Sequence, residues 1–252
     1  MNFLERASYD WTEDSVRLIN SPGLTAKSSY FYVQETGYFQ TKPRYFTERE
    51  HLNSYLIVYT LSGKGILRYR GKSHRLQAGQ AFFIDCMEYQ YYETDRNEPW
   101  EILWVHFNGA TSRGYYEEFV KQDSPVISMD QEIAVPSIMR KILDNQRNKD
   151  RRTELVTSQL IVQLLTELLL STNDQLSSDD FMPDYLKGAV AEIEKYFNEK
   201  ITLDQLAAKY AINKFYLAKE FKKYTGVTPN EFLIQTRINY AKEHLQYSGL
   251  SV

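Results

Sequence analysis

The chain has 252 residues, enough for two modest domains that each bury a core. Hydrophobic residues make up 42% and charged residues 25%, an ordinary globular balance, and no run approaches the roughly 18 apolar residues of a membrane span. The net charge is −3, and the one cysteine, Cys86, excludes an internal disulfide and a thiolate zinc cage.

The opening residues, MNFLERASYDWTEDS, hold no apolar signal core, so the chain is expected to be cytoplasmic, with no membrane partner. Residues 28–107 read as β structure: short apolar and aromatic runs at 54–61, 65–70, 81–85, 89–93 and 100–107 alternate with turn signals. Among those signals are Ser62-Gly63-Lys64-Gly65 and Ala78-Gly79-Gln80, where glycine permits positive φ. Many short strands joined in this way predict a sandwich or a small barrel. The period then changes. Residues 131–147 and 152–171 predict two helices, the second apolar around much of its circumference. Such a helix needs cover, which its hairpin mate and a second subunit would supply. Residues 172–183, TNDQLSSDDFMP, are polar, end in proline and read as a linker.

Explicit helix punctuation follows. A helix is expected over about 185–198, with Leu186, Val190, Ile193 and Phe197 at helical spacing. Thr202 and Gln205 form a capping box that opens a short helix, in which Ala207 is small where two helices approach. Ala211-Ile212 makes a turn and Asn213 suits the N-cap of the next helix, whose Leu217 and Phe221 face the core. Gly226 ends that helix. Thr228-Pro229-Asn230-Glu231 opens another, over about 229–247, with Phe232, Ile234, Ile238, Ala241 and Leu245 expected as its buried side.

Charge is distributed unevenly. Residues 184–252 hold ten Lys and Arg against eight Asp and Glu, while the preceding 183 hold twenty against twenty-five. On the helix after Asn213, rotation at about 100° per residue groups Lys214, Phe215, Ala218, Lys219 and Lys222 on an arc away from Leu217 and Phe221. Asn213, Lys214, Phe215, Ala218, Lys219, Lys222 and Lys223 are therefore the candidate DNA-binding residues. The lysines suit phosphates or guanine edges, and Phe215 and Ala218 suit a thymine methyl.

The run from Ile201 to Leu245 resembles the first helix-turn-helix and linker helix of AraC-type transcription regulators. The order of Leu206-Ala207, Tyr216-Leu217, Phe221-Lys222, Gly226, Pro229, Arg237 and Ala241 carries that likeness. Upstream, Gly63-Lys64-Gly65, Gly79 and the stretch from Pro99-Trp100 through Trp104-Val105-His106-Phe107-Asn108-Gly109 resemble the family's sugar-type sensory domain, a cupin barrel. The resemblance implies an α+β chain in four parts: a cupin-like ligand-sensing domain over 1–128, a helical dimerisation hairpin over 129–171, the linker 172–183 and an all-α helix-turn-helix domain over 184–252. The family carries a second helix-turn-helix after the linker helix. Here the sequence stops at Leu250-Ser251-Val252, which implies truncation of a longer parent.

The likeness makes the barrel lumen the ligand site. Strand alternation separates Ile102, Trp104 and His106 from Leu103, Val105 and Phe107, and the family pattern places the first set in the lumen, with Arg49 and Tyr91. A tryptophan face stacks on a sugar, an arginine forks onto hydroxyls, and a tyrosine both donates and accepts. The expected partners are operator DNA, a sugar or sugar-like effector and a second copy of the chain; a non-sugar effector, or a sugar-binding cupin module without a DNA role, are the alternatives. Neither enzymatic activity nor a cofactor is expected. His51, His74 and His106 are widely spaced, without the close histidine pair of a metal cupin, and no neighbouring histidine in the sequence could activate Cys86.

Overall fold

A computed structural model describes residues 3–129, 134–174 and 182–247. Most of the expected linker, residues 175–181, and the final residues 248–252 lie outside the described ones, as do 131–133 at the head of the first expected helix. The chain divides into two compact units, Met1–Gln175 and Leu176–Val252.

The first unit is a cupin-like sandwich of two antiparallel sheets. In chain order it contains β1 (Leu4–Ser8), β2 (Val16–Ile19), α1 (Leu24–Ser29), β3 (Tyr32–Gln40), β4 (Phe46–Glu50), β5 (Tyr55–Ser62), β6 (Lys64–Tyr69), β7 (Lys72–Gln77), β8 (Gln80–Asp85), β9 (Gln90–Thr94), β10 (Glu101–Asn108), α2 (Ser112–Phe119), β11 (Val126–Ser128), α3 (Val135–Arg147) and α4 (Thr153–Asp174). One sheet runs β1-β4-β9-β6-β7, and the other β11-β8-β5-β10-β3-β2.

The six-stranded sheet is buried on both faces. Toward the other sheet it turns Phe39, Leu56, Val58, Phe82, Ile84, Trp100, Ile102 and Trp104. Toward α2, α3 and α4 it turns Val33, Ile57, Tyr59, Phe83, Leu103, Val105 and Phe107. Double burial is why β5, β8 and β10 read as nearly continuous apolar runs; β9 and the end of β6, with one wet face, alternate. Ile161, Leu164, Leu165 and Leu168 of α4 bury themselves on the sheet's outer core. By length and composition this helix could cross a membrane, but it covers a sheet. Its exposed side carries Leu155, Val162 and Leu170.

Two tryptophans settle on glycines. A Cβ at Gly37 would lie 2.6 Å from the Trp104 ring, and one at Gly65 would lie 2.5 Å from Trp100. Any side chain there would expel the indole from the lumen core.

The second unit holds α5 (Asp184–Tyr196), α6 (Leu203–Lys209), α7 (Lys214–Thr225) and α8 (Pro229–Tyr247). Leu186, Ala189, Ile193, Leu206, Ala207, Leu217, Phe221 and Leu233 form its core. At α6, the Gln205 backbone N–H donates to Thr202 Oγ1 at 3.2 Å and Thr202 N donates to Gln205 Oε1 at 2.9 Å. Thr228 and Glu231 repeat the reciprocal pair at α8. Gly226 ends α7 at φ 81°, while Ala211, in the turn, takes φ 53°, a left-handed conformation that costs a residue bearing Cβ about 1–2 kcal/mol. Gly188 of α5 leaves space for the Tyr210 ring, whose hydroxyl would lie 2.4 Å from a Cβ there.

The expected buried side of α8 is corrected. Leu233 is buried, whereas Ile234, Ile238 and Leu245 are about half exposed and Ala241 is exposed. Phe232 packs on the core as expected, but with Leu233 and Thr236, on the side of the helix away from Ile234 and Ile238, because other contacts fix its phase. Arg237 donates to the carbonyls of Phe197 and Glu199, both at 2.7 Å, and Tyr240 packs on Phe197 at 4.6 Å.

Candidate functional site

The lumen of the sandwich is aromatic and polar. Tyr9, Trp11, Arg17, Phe39, Tyr45, Thr47, Arg49, Val58, Tyr92, Ile102, Trp104 and His106 surround it. Register explains the convergence. Trp104 of β10 pairs with Gly37 of β3, and Gly37 pairs with Arg17 of β2. Across the lumen, Arg49 of β4 lies between Glu5 of β1 and Gln90 of β9. Arg49, Ile102, Trp104 and His106, expected from sequence, thus line one space.

Tyr91 does not. It lies on the outer face of β9, stacked on Phe46 at 5.8 Å beneath Arg68, and its hydroxyl donates to Glu93. Alternation sends its neighbours Gln90 and Tyr92 inward, so the inward tyrosine is one residue later.

A buried hydrogen-bond chain fixes Arg49. Burial and the nearby Arg49 and Arg17 hold the His106 imidazole well below its usual pKa, so the ring is neutral. Arg49 Nη1 donates to His106 Nε2 at 2.8 Å, which leaves the proton on Nδ1, 3.0 Å from Ser54 Oγ. Ser54 in turn donates to the Tyr55 carbonyl. Both ring nitrogens are engaged, so His106 positions Arg49 and has no polar atom free for a ligand. Glu5 Oε1 accepts from Arg49 Nη2 at 3.1 Å, and Arg17 forks onto Glu35 at 2.8 and 3.1 Å.

The N-terminal arm fills the space. Trp11 stacks on Phe39 at 4.2 Å, with ring planes 14° apart. About 20 Å³ of free space remains, room for about one water. Sequence reasoning missed Trp11, Arg17 and Glu5, because β1 and β2 lie before the region of clear alternation. Tyr9 followed by Trp11, at period two, was the available signal.

In the helical unit, Phe215 is 73% exposed and Tyr216 51%. Lys219, Lys222 and Lys223 are exposed and make no salt bridge among the described residues. Two of the candidate DNA-binding residues lie off the expected outward arc. Ala218 turns into an apolar cleft beside Ile193, Leu203, Leu206 and Leu233. Lys214 is drawn 2.8 Å from Asp204. Asn213 takes its expected N-cap: its side-chain Oδ1 accepts from Phe215 N and Tyr216 N. Leu217 and Phe221 centre the buried side such that Ala218 and Lys214 fall on its flank. The outward surface is Phe215, Tyr216, Lys219, Lys222 and Lys223.

Two family descriptions match the chain. The AraC-like ligand binding domain matches residues 32–165, more than half of the sequence. The helix-turn-helix of bacterial AraC-family regulatory proteins matches residues 193–233. The chain belongs to the AraC family of transcription regulators. Among AraC-type relatives, the MmsAB operon regulatory protein of Pseudomonas aeruginosa is 25% identical, with 96% of this chain and 82% of that protein covered. The lactose operon transcription activator of Staphylococcus xylosus is 27% identical, with 74% and 68% covered. The transcriptional activator RhaS of Escherichia fergusonii is 24% identical, with 82% and 76% covered. The crystal structure of the AraC-like activator CuxR aligns over 83% of this chain and 77% of that one, at 11% identity and a TM-score of 0.36.

Proposed function

We propose that this AraC-family regulator controls carbohydrate uptake or catabolism genes by binding a sugar or sugar-like effector in the lumen of its sandwich, and that it acts without catalysis. The observation that carries the reading is the Trp11 plug: an aromatic box of Phe39, Tyr45 and Trp104 is filled by the Trp11 indole, and an indole has about the footprint of a pyranose ring. The effector enters by displacing the arm. The relative that activates a lactose operon supports the carbohydrate class. DNA is read by α7, with Phe215 and Lys219 at base edges and Lys222 and Lys223 at phosphates.

The same reading makes the working form a homodimer. Leu160, Leu164 and Leu168 are committed to the sheet, so the surface left for a second copy is Leu155, Val162 and Leu170 on the opposite side of α4.

Calorimetric titration of the full chain with monosaccharides, disaccharides and sugar acids tests the effector site. At least one should bind, and Trp104→Ala should lose roughly 1–3 kcal/mol of that binding. No binding to either the wild type or a Trp11→Ala variant with its plug removed would refute the lumen as the effector site.

A further inference from the structure

We infer that the effector is an acid, and that Glu5 stands in for its carboxylate on Arg49 when the lumen is closed. The inference rests on the lumen being the effector site.

Among the described residues, three buried polar atoms in or beside the lumen lack a hydrogen-bond partner: Arg49 Nε, Trp104 Nε1 and, next to Arg49, Gln90 Nε2. All three are N–H donors. Gln90 lies beside Arg49 across the β4–β9 ladder and is fully buried. Burial pushes the Cys86 thiol up to about 12, so it stays protonated and its Sγ donates to Gln90 Oε1 at 3.5 Å, which leaves the amide NH₂ as the free end.

The acceptor atoms nearest the two arginines already carry bonds. Glu35 holds Arg17, and Glu5 holds Arg49 and also accepts from the Tyr9 hydroxyl. His106 Nε2 accepts from Arg49. A neutral sugar brings a donor with every hydroxyl, and each one buried here without an acceptor carries a desolvation penalty. A carboxylate brings acceptors alone and pairs with a guanidinium through two parallel hydrogen bonds.

Glu5 sits where that carboxylate would bind. It reaches Arg49 from β1, the edge strand of its sheet. Two carboxylates on one buried guanidinium repel each other, so binding of an acid and docking of Glu5 exclude one another. Ligand binding would therefore release β1 and, with it, the Tyr9–Trp11 arm. Gln90 becomes a contact that fixes the ligand through its hydroxyl or carboxylate oxygens.

The test is titration calorimetry on the full chain at constant ionic strength. The probes are D-glucuronate, D-galacturonate and D-gluconate beside D-glucose, D-galactose and sorbitol. At least one acid should bind roughly tenfold or more tightly than its neutral counterpart. Glu5→Gln should tighten that acid by about tenfold and leave the neutral compounds unchanged, because only the competing charge is removed. Gln90→Leu should weaken it. If a neutral sugar binds as tightly as its acid, or if Glu5→Gln leaves the acid's affinity unchanged, the acid inference is overturned while the lumen remains the effector site. If no probe binds the wild type, Glu5→Gln or Trp11→Ala, both readings fall together.

Discussion

At the scale of single residues, what the sequence disclosed was whatever acts over three or four positions. Thr202 with Gln205, Thr228 with Glu231, Asn213 and Gly226 all sit at the helix ends that their spacing implies. Each satisfies a backbone group that its own helix leaves open, so no distant partner is needed. Ala211 shows that local strain can hide in an ordinary residue, since its φ of 53° follows from the turn between α6 and α7 and not from its side chain. Glycine adopts that conformation freely, at the cost of extra flexibility in the unfolded chain. Ala211→Gly should therefore stabilise the helical unit by about 0.5–1 kcal/mol, read from the midpoint of urea unfolding. A loss of stability would mean that the Ala211 methyl makes a contact worth more than the strain. Tyr91 illustrates the opposite limit. Which of two adjacent tyrosines faces inward depends on the register of β9 against β4 and β6, and nothing within Gln90–Thr94 sets it.

At the scale of elements, helical period marked the apolar faces well when they pack on a long partner and poorly when they do not. In α3, Ile138, Met139, Ile142 and Leu143 are buried on one stripe. In α4 both the buried stripe and the exposed side carry leucine, so the sequence gives no clue to which faces the sheet. That difference separates two substitutions. Leu155→Glu with Val162→Glu should turn a dimer into a monomer in sedimentation and shift monomer stability by no more than about 0.5 kcal/mol. Leu164→Glu buries a charge in the sheet core and should unfold the first unit. A wild type that is already monomeric at tens of micromolar would end the dimer proposal. Helix α7 divides in the same way. Phe215→Ala should change preference at one or two base pairs by about 1–3 kcal/mol, and Lys222→Ala should weaken all DNA sequences and lower the salt slope by about one unit. Ala218→Glu places a carboxylate in the cleft beside Leu206 and Leu233, so it should lower the melting temperature of the unit. If Ala218→Glu melts like the wild type and alters base preference, the residue faces DNA as the sequence suggested.

At the scale of the whole molecule, charge and core divide at about the same place along the chain. Residues 1–183 carry twenty Lys and Arg against twenty-five Asp and Glu, and residues 184–252 carry ten against eight. The sandwich cores and the helical core share no residue. Sequence pattern disclosed the β-then-α order because periods of two and 3.6 differ plainly, and composition breaks over 172–183. It did not disclose the arm. Closure of the lumen by Glu5, Tyr9 and Trp11 is made by pairing across long sequence separations, which local pattern does not encode. Two units with separate cores should behave as separate cooperative bodies. Digestion of the native chain with a broad-specificity protease at low ratio should first cut between Thr172 and Pro183, where side chains are polar and proline interrupts helix formation. Mass spectrometry should then show one fragment holding the sandwich and another holding α5 through α8. Each isolated fragment should melt in its own transition, because each keeps its full set of buried apolar side chains. A first cut inside 203–224 would show that α6 and α7 open more readily than the linker. The helical unit would then depend on the rest of the chain for its stability, and the proposed independence of the DNA-reading unit would fail.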